Sequence, residues 1–157
     1  VDRRGVSLIE LLVAIAIGLL LVSATLFGAR GVRNRANEAQ ASAHGGMVAQ
    51  AVQGYFAIHI TDTPSNLMGR LQTALPAADW SGAPAAAQAG SLPTDRACNT
   101  AFTLYDPGNN PTRFSWPGTD GRSRCVLALR TGGGVSQLLV ISWAPGSARW
   151  YINGQQQ

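Results

Sequence analysis

A single carboxylate, Glu10, stands inside an otherwise apolar run that reads VSLIELLVAIAIGLLLVSATLFGA over residues 6–29, and Arg3, Arg4 and Gly5 sit directly before that run. Holding a charge at membrane depth costs several kcal/mol, with estimates from about 2.5 upward, so Glu10 needs a cationic partner, a route to the headgroups, or a proton. The run is about 24 residues, roughly 36 Å as a helix, which is enough to cross a hydrocarbon core of about 30 Å. It is too long for an ordinary secretory signal peptide, and its acid lies too near the start.

The other residues with chemical potential lie further along. Arg113, Arg122, Arg124 and Arg130 fall close to Phe114 and Trp116, a mixture of cations and aromatic rings of the kind that binds DNA through phosphates and base stacking. A solvated turn with ordinary arginines is the plainer reading and the favoured one. Two cysteines, Cys98 and Cys125, and two separated histidines, His44 and His59, do not make a zinc site. No nucleophile elbow and no HExxH is present, and Gly132–Gly134 lacks the strand, helix and lysine of a phosphate loop; it reads as a hairpin turn. Asp95, Asp106 and Asp120 lie in turn sequences, where aspartate often bonds its own backbone. All twelve basic residues are arginine, so chemistry that needs a lysine is excluded, and no cofactor is expected. A non-enzymatic protein is the expectation.

The elements that must position these groups follow from patterning. The chain has 157 residues, 46% hydrophobic and 13% charged, with a net charge of +4, which suits one modest core beside the apolar run. No proline precedes Pro64, and apolar residues recur in threes and fours from Val32 to Phe56, so one helix is predicted from Val6 to about residue 59. Its first half is apolar and its second half amphipathic, with the stripe from Met47 to Phe56 facing a core. Its many glycines, at 18, 28, 31, 45, 46 and 54, mark weak places at about 1 kcal/mol each relative to alanine, and Gly18 with Ala14 and Ala16 could serve close packing between helices. A short helix over 67–75 and a connecting loop over 76–93 come next. Strand-forming runs at 101–105, 113–116, 126–130, 137–143 and 148–152, divided by Pro-Gly, Asp-Gly and Gly-Gly signals, predict an antiparallel meander of about four strands. The expected fold class is α+β: a long N-terminal helix, transmembrane then amphipathic, packed on a small antiparallel sheet.

Arg4-Gly5-Val6-Ser7-Leu8-Ile9-Glu10-Leu11-Leu12-Val13-Ala14 resembles the class III leader junction of type IV pilins, minor pilins and type II secretion pseudopilins. The resemblance implies that a membrane-embedded prepilin peptidase cuts between Gly5 and Val6 and methylates the new amine; Val6 stands where most members have phenylalanine. It implies that Glu10 meets the Val6 amine of a neighbouring subunit, a pair that acts on register more than on net stability. Residues 1–5 are then a leader remnant, 6–29 the transmembrane and filament-core helix, 30–60 its amphipathic half, and 61–157 the soluble region. The partners implied are other pilins in a homo- or hetero-polymer, the peptidase, the inner-membrane assembly platform and, before assembly, the lipid bilayer; DNA is not favoured. The precursor is expected as a single-pass inner-membrane protein with its C-terminal region outside, then as part of an extracellular pilus or periplasmic pseudopilus. An even cysteine count in such an exported region suggests a Cys98–Cys125 disulfide, a feature similar to pilins. Arg30, Arg33 and Arg35 oppose Arg3 and Arg4 under the positive-inside rule, and in a filament are expected to meet Glu38 and the acids of neighbouring subunits.

Overall fold

The computed structural model describes residues 7–100, 102–104, 114–116 and 121–157, with side chains described for all of these except 25–30, 102–104 and 114–116. Helix α1 spans Leu8–Ile58, close to the predicted limits, because nothing before Pro64 interrupts its ladder. Thr63 caps helix α2, Pro64–Ala74, its hydroxyl accepting from the Asn66 amide at 3.2 Å, with proline in the first turn where a missing N–H costs nothing. A single turn, α3, follows at Ala85–Gln88.

Two compact units result, Val1–Arg35 and Ala36–Gln157. The second holds a five-stranded antiparallel sheet in the order β1-β4-β5-β6-β7, made of β1 Arg96–Ala97, β4 Arg124–Gly132, β5 Val135–Trp143, β6 Trp150–Ile152 and β7 Gln155–Gln156. The predicted runs at 101–105 and 113–116 do not join it. They appear as β2 Phe102–Leu104 and β3 Phe114–Trp116, which pair with each other as a separate hairpin. Their places in the main sheet go to β1 and β7, whose two polar or small residues each carry no alternation to read. Gly133 and Gly134, with φ of 60° and 81°, form the two-residue turn between β4 and β5. Both central residues of that turn class need positive φ, which glycine adopts without a Cβ clash.

Alternation along β4 and β5 sends side chains to two buried faces. On one, Leu127, Leu138 and Val140 pack with Val48, Val52 and Tyr55 of α1 and with Leu67, Met68 and Leu71 of α2. Met47, expected in this stripe, is instead half exposed. On the other, Val126, Ala128, Ile141 and Trp143 are covered by Ala87 and Trp80 from the 76–93 segment, the Trp80 and Trp143 rings stacked at 5.5 Å. The segment read as a plain connector is therefore the cover of a second core face.

Helix α1 touches the sheet closely at its glycines. A Cβ on Gly45 would overlap the Ser142 hydroxyl, and one on Gly154 would lie 2.9 Å from Gly46 Cα. The approach is fastened by hydrogen bonds from Ser142 Oγ to the Ala41 carbonyl at 2.8 Å and from Ser42 Oγ to the Gly154 carbonyl at 2.7 Å. Gly45 and Gly46, read as weak places, are sites of close packing, whereas Gly18, Gly31 and Gly54 have open space around them.

Candidate functional site

Glu10 occupies the first turn of α1. Its Oε2 accepts from the Ser7 amide at 2.9 Å while Ser7 Oγ accepts from the Glu10 amide at 3.3 Å. This is a reciprocal capping box, Ser-x-x-Glu, which satisfies donors that the helix itself leaves open and sets the carboxylate against the positive end of the helix dipole. The Ser-x-x-Glu spacing from Ser7 to Glu10 is the sequence signal of this cap, separate from the intersubunit role that the resemblance implies for Glu10. Gly5 and Val6, the predicted processing pair, lie outside the described residues.

Beyond Glu10 the helix is apolar on every side. Leu8, Ile9, Leu11, Leu12, Val13, Ile15, Ile17 and Leu19–Val22 are all exposed, Leu20 by 71%, and consecutive exposed positions cover the full circumference. An apolar surface of this extent is not stable facing water and marks contact with lipid or with other apolar helices. Residues 2–26 match the family model described as the prokaryotic N-terminal methylation motif. The chain carries the class III prepilin leader of type IV pilin-like proteins. No curated protein and no solved structure matches it significantly. The long helix followed by an antiparallel sheet fits the type IV pilin-like arrangement. Among the described residues no helix is long and apolar enough to cross a membrane; the span expected over 6–29 runs at both ends into residues whose side chains are not described.

The cysteines meet as expected. Cys98 and Cys125 form a disulfide, both fully buried, and the Cys98 amide donates to the Cys125 carbonyl at 2.9 Å. The bond ties β1 to β4 and closes the loop that contains the β2–β3 hairpin.

Among the described residues, two arginines of the expected basic and aromatic cluster are paired with acids. Arg130 donates to both carboxylate oxygens of Asp95, at 2.9 and 3.1 Å, and Arg124 pairs with Asp79 at 3.2 Å. Both arginines project from the second face of β4, Arg124 to Asp79 within the 76–93 cover and Arg130 to Asp95 just after it, so their positive charge fastens the cover and the residues that follow it. Asp95 is fully buried and also accepts from the Leu92 amide at 2.9 Å. It is thus an anchor between two segments as well as a turn residue. Arg113 lies outside the described residues, Trp116 is placed in β3 without a described side chain, and Arg122 is exposed.

Two further charged groupings shape the second unit. Glu38 accepts from Ser147 Oγ at 2.7 Å and from Arg149 at 3.2 Å, so the acid expected to serve the arginines after the apolar run is held by its own unit. Burial, reinforced by the nearby Glu38 charge and opposed by Arg149, raises the Tyr151 phenol above its ordinary range. At the end of α1, Asp62 accepts from Tyr55 Oη at 2.6 Å and from the Thr63 amide at 3.0 Å, and Arg70 of α2 binds both Tyr55 and Asp62. Burial pushes the Asp62 carboxyl upward, but the Tyr55, Arg70 and Thr63 hydrogen bonds outweigh it and hold the group below the ordinary carboxylate value. His59 lies against the Tyr55 ring at 4.4 Å, and His44 is buried on α1.

Proposed function

We propose that this chain is a structural, non-enzymatic subunit of a type IV pilus or pilus-like filament. It is held in the inner membrane as a single-pass precursor, with its C-terminal unit outside, until prepilin peptidase hydrolyses the Gly5–Val6 bond and methylates the Val6 amine. The observation that carries the reading is the leader motif over 2–26 running directly into a helix that is apolar all round. Removal of the leader leaves a cationic amine within about one helical turn of Glu10, and transfer of the apolar surface from lipid to a bundle of like helices preserves its burial. Head-to-tail addition by an association that does not close yields an open fibre. Membership of a type II secretion pseudopilus is the alternative. Adhesion, motility and DNA uptake are the roles such a fibre serves; the Arg124–Asp79 and Arg130–Asp95 pairs weigh against DNA binding by this surface.

Replacing Glu10 by alanine is the test. Mass spectrometry of the mature N-terminus should show cleavage and methylation largely intact, while fibres shed from cells fall sharply. Normal fibre yield would rule out the Glu10 pairing. Ser7→Ala separates pairing from helix capping: it removes the cap, worth about 1 kcal/mol, and leaves the carboxylate in place. Fibre loss in Glu10→Ala but not in Ser7→Ala is expected.

A further inference from the structure

Arg33 and Arg35 follow the apolar run on α1 and are both exposed. The acids of the other unit that are described are each occupied by an arginine of that same unit: Glu38 by Arg149, Asp62 by Arg70, Asp79 by Arg124 and Asp95 by Arg130. Those four carboxylates on a second copy are therefore poor counter-charges for the two arginines. Their geometry points elsewhere. Two positions apart on an α-helix, they project about 200° from one another, on opposite sides, with a height difference of only about 3 Å. A protein docked on one side of the helix reaches one of them, whereas a charged layer that encircles the helix reaches both. Counted from Glu10, the pair lies roughly 35 Å along the axis, just past a hydrocarbon core of about 30 Å and therefore within the headgroup zone of the far leaflet.

We propose that Arg33 and Arg35 bind the phosphates of anionic phospholipids in the leaflet opposite the one that Glu10 borders. This inference rests on the membrane-anchored precursor proposed above. Guanidinium groups match phosphate oxygens bidentately, and their long stems let the charged ends settle at headgroup level. The apolar run is thereby bounded by Glu10 at one end and by an arginine collar at the other, which fixes the depth at which the precursor waits. Entry into a filament strips these lipids from the collar, so the contact opposes extraction until assembly begins.

The test uses the full chain reconstituted in vesicles of phosphatidylcholine with phosphatidylglycerol. Electron spin resonance of headgroup-labelled lipids reads how strongly each associates with the protein. Labelled phosphatidylglycerol should be favoured about fivefold per arginine at low salt, with the share due to Arg33 and Arg35 removed in the Arg33→Gln/Arg35→Gln variant and the whole preference screened at about 0.5 M salt. The Arg33→Lys/Arg35→Lys variant should retain a weaker, salt-sensitive preference. Equal phosphatidylglycerol association in wild type and glutamine variant, with both chains resisting alkaline extraction, overturns the inference and leaves membrane anchoring standing. A wild-type chain that washes off the vesicles overturns the anchored reading instead. Lipid indifference combined with loss of fibre assembly in the glutamine variant assigns the arginines to a second copy and also overturns the inference.

Discussion

Gly45→Ala is expected to destabilise the protein even though alanine is the better helix former. Within α1 the exchange gains about 1 kcal/mol in helix propensity. The new methyl group, however, would overlap the Ser142 hydroxyl and lie 3.2 Å from Ser142 Cβ, at a point where Ser142 is fully buried and donates to the Ala41 carbonyl. Rotation of the hydroxyl away from the methyl breaks that bond and strands a buried polar group, at about 1–3 kcal/mol, and residual crowding adds about 1–3 kcal/mol. The net loss should be about 3 kcal/mol, which lowers Tm by roughly 6–12 °C in a chain of this size. Gly54→Ala, on the same helix with open space around it, provides the control and should raise Tm by about 2–4 °C. Thermal unfolding of the full chain in detergent, followed by near-ultraviolet circular dichroism, reads both. Ser142→Ala removes the overlapping atom, so the double variant should lose less than the two single losses added together. A Gly45→Ala protein as stable as Gly54→Ala would refute the close approach of α1 to β5.

Arg130→Ala leaves the fully buried Asp95 carboxylate without its guanidinium and should cost about 3–5 kcal/mol in urea unfolding, while Arg124→Ala, whose partner Asp79 is half exposed and screened by solvent, should cost far less. Replacement of Cys98 and Cys125 by serine should cost about 3 kcal/mol in the same assay, because the disulfide no longer limits the unfolded chain. The depressed Asp62 pKa contributes stability that is present above its ordinary value of 3.8 and is lost as pH falls through the lower folded-state value. Acid titration of Tm should therefore show a smaller drop below that pH in Asp62→Asn than in wild type, and equal drops would remove Asp62 from the acid response.

The limits of α1 were legible because they depend on local chemistry, with no proline before Pro64 to interrupt the ladder; α2 starts at Pro64, three residues ahead of the predicted 67, where Thr63 and Pro64 supply the cap and the first turn. The cores of β4 and β5 were legible for the same reason, from runs of Val, Leu and Ile ended by the Gly133–Gly134 turn. Strands β1 and β7 were not, since two-residue edge strands take their conformation from the neighbour they pair with. Asn153 and Gly154, with φ of 51° and 82°, form a second two-residue turn, and the Asn-Gly pair announces such a hairpin between Ile152 and Gln155.

At the candidate site, what the sequence alone determined was the leader, the acid at Glu10 and the apolar character of the residues that follow, because a short contiguous motif and a transfer free energy need no tertiary contacts. Whether a given charge is free to meet a partner was decided only by the fold. Arg124 and Arg130 looked like part of a nucleic-acid surface until the second sheet face brought them to Asp79 and Asp95, and Glu38 looked available until β6 and the turn before it delivered Arg149 and Ser147. Glycine carried the same ambiguity, since at Gly45 its missing side chain admits Ser142 and at Gly54 it admits nothing. Pairing and close packing join residues far apart in the chain, and the distance between such residues is set only when the helix and both faces of the sheet are in place.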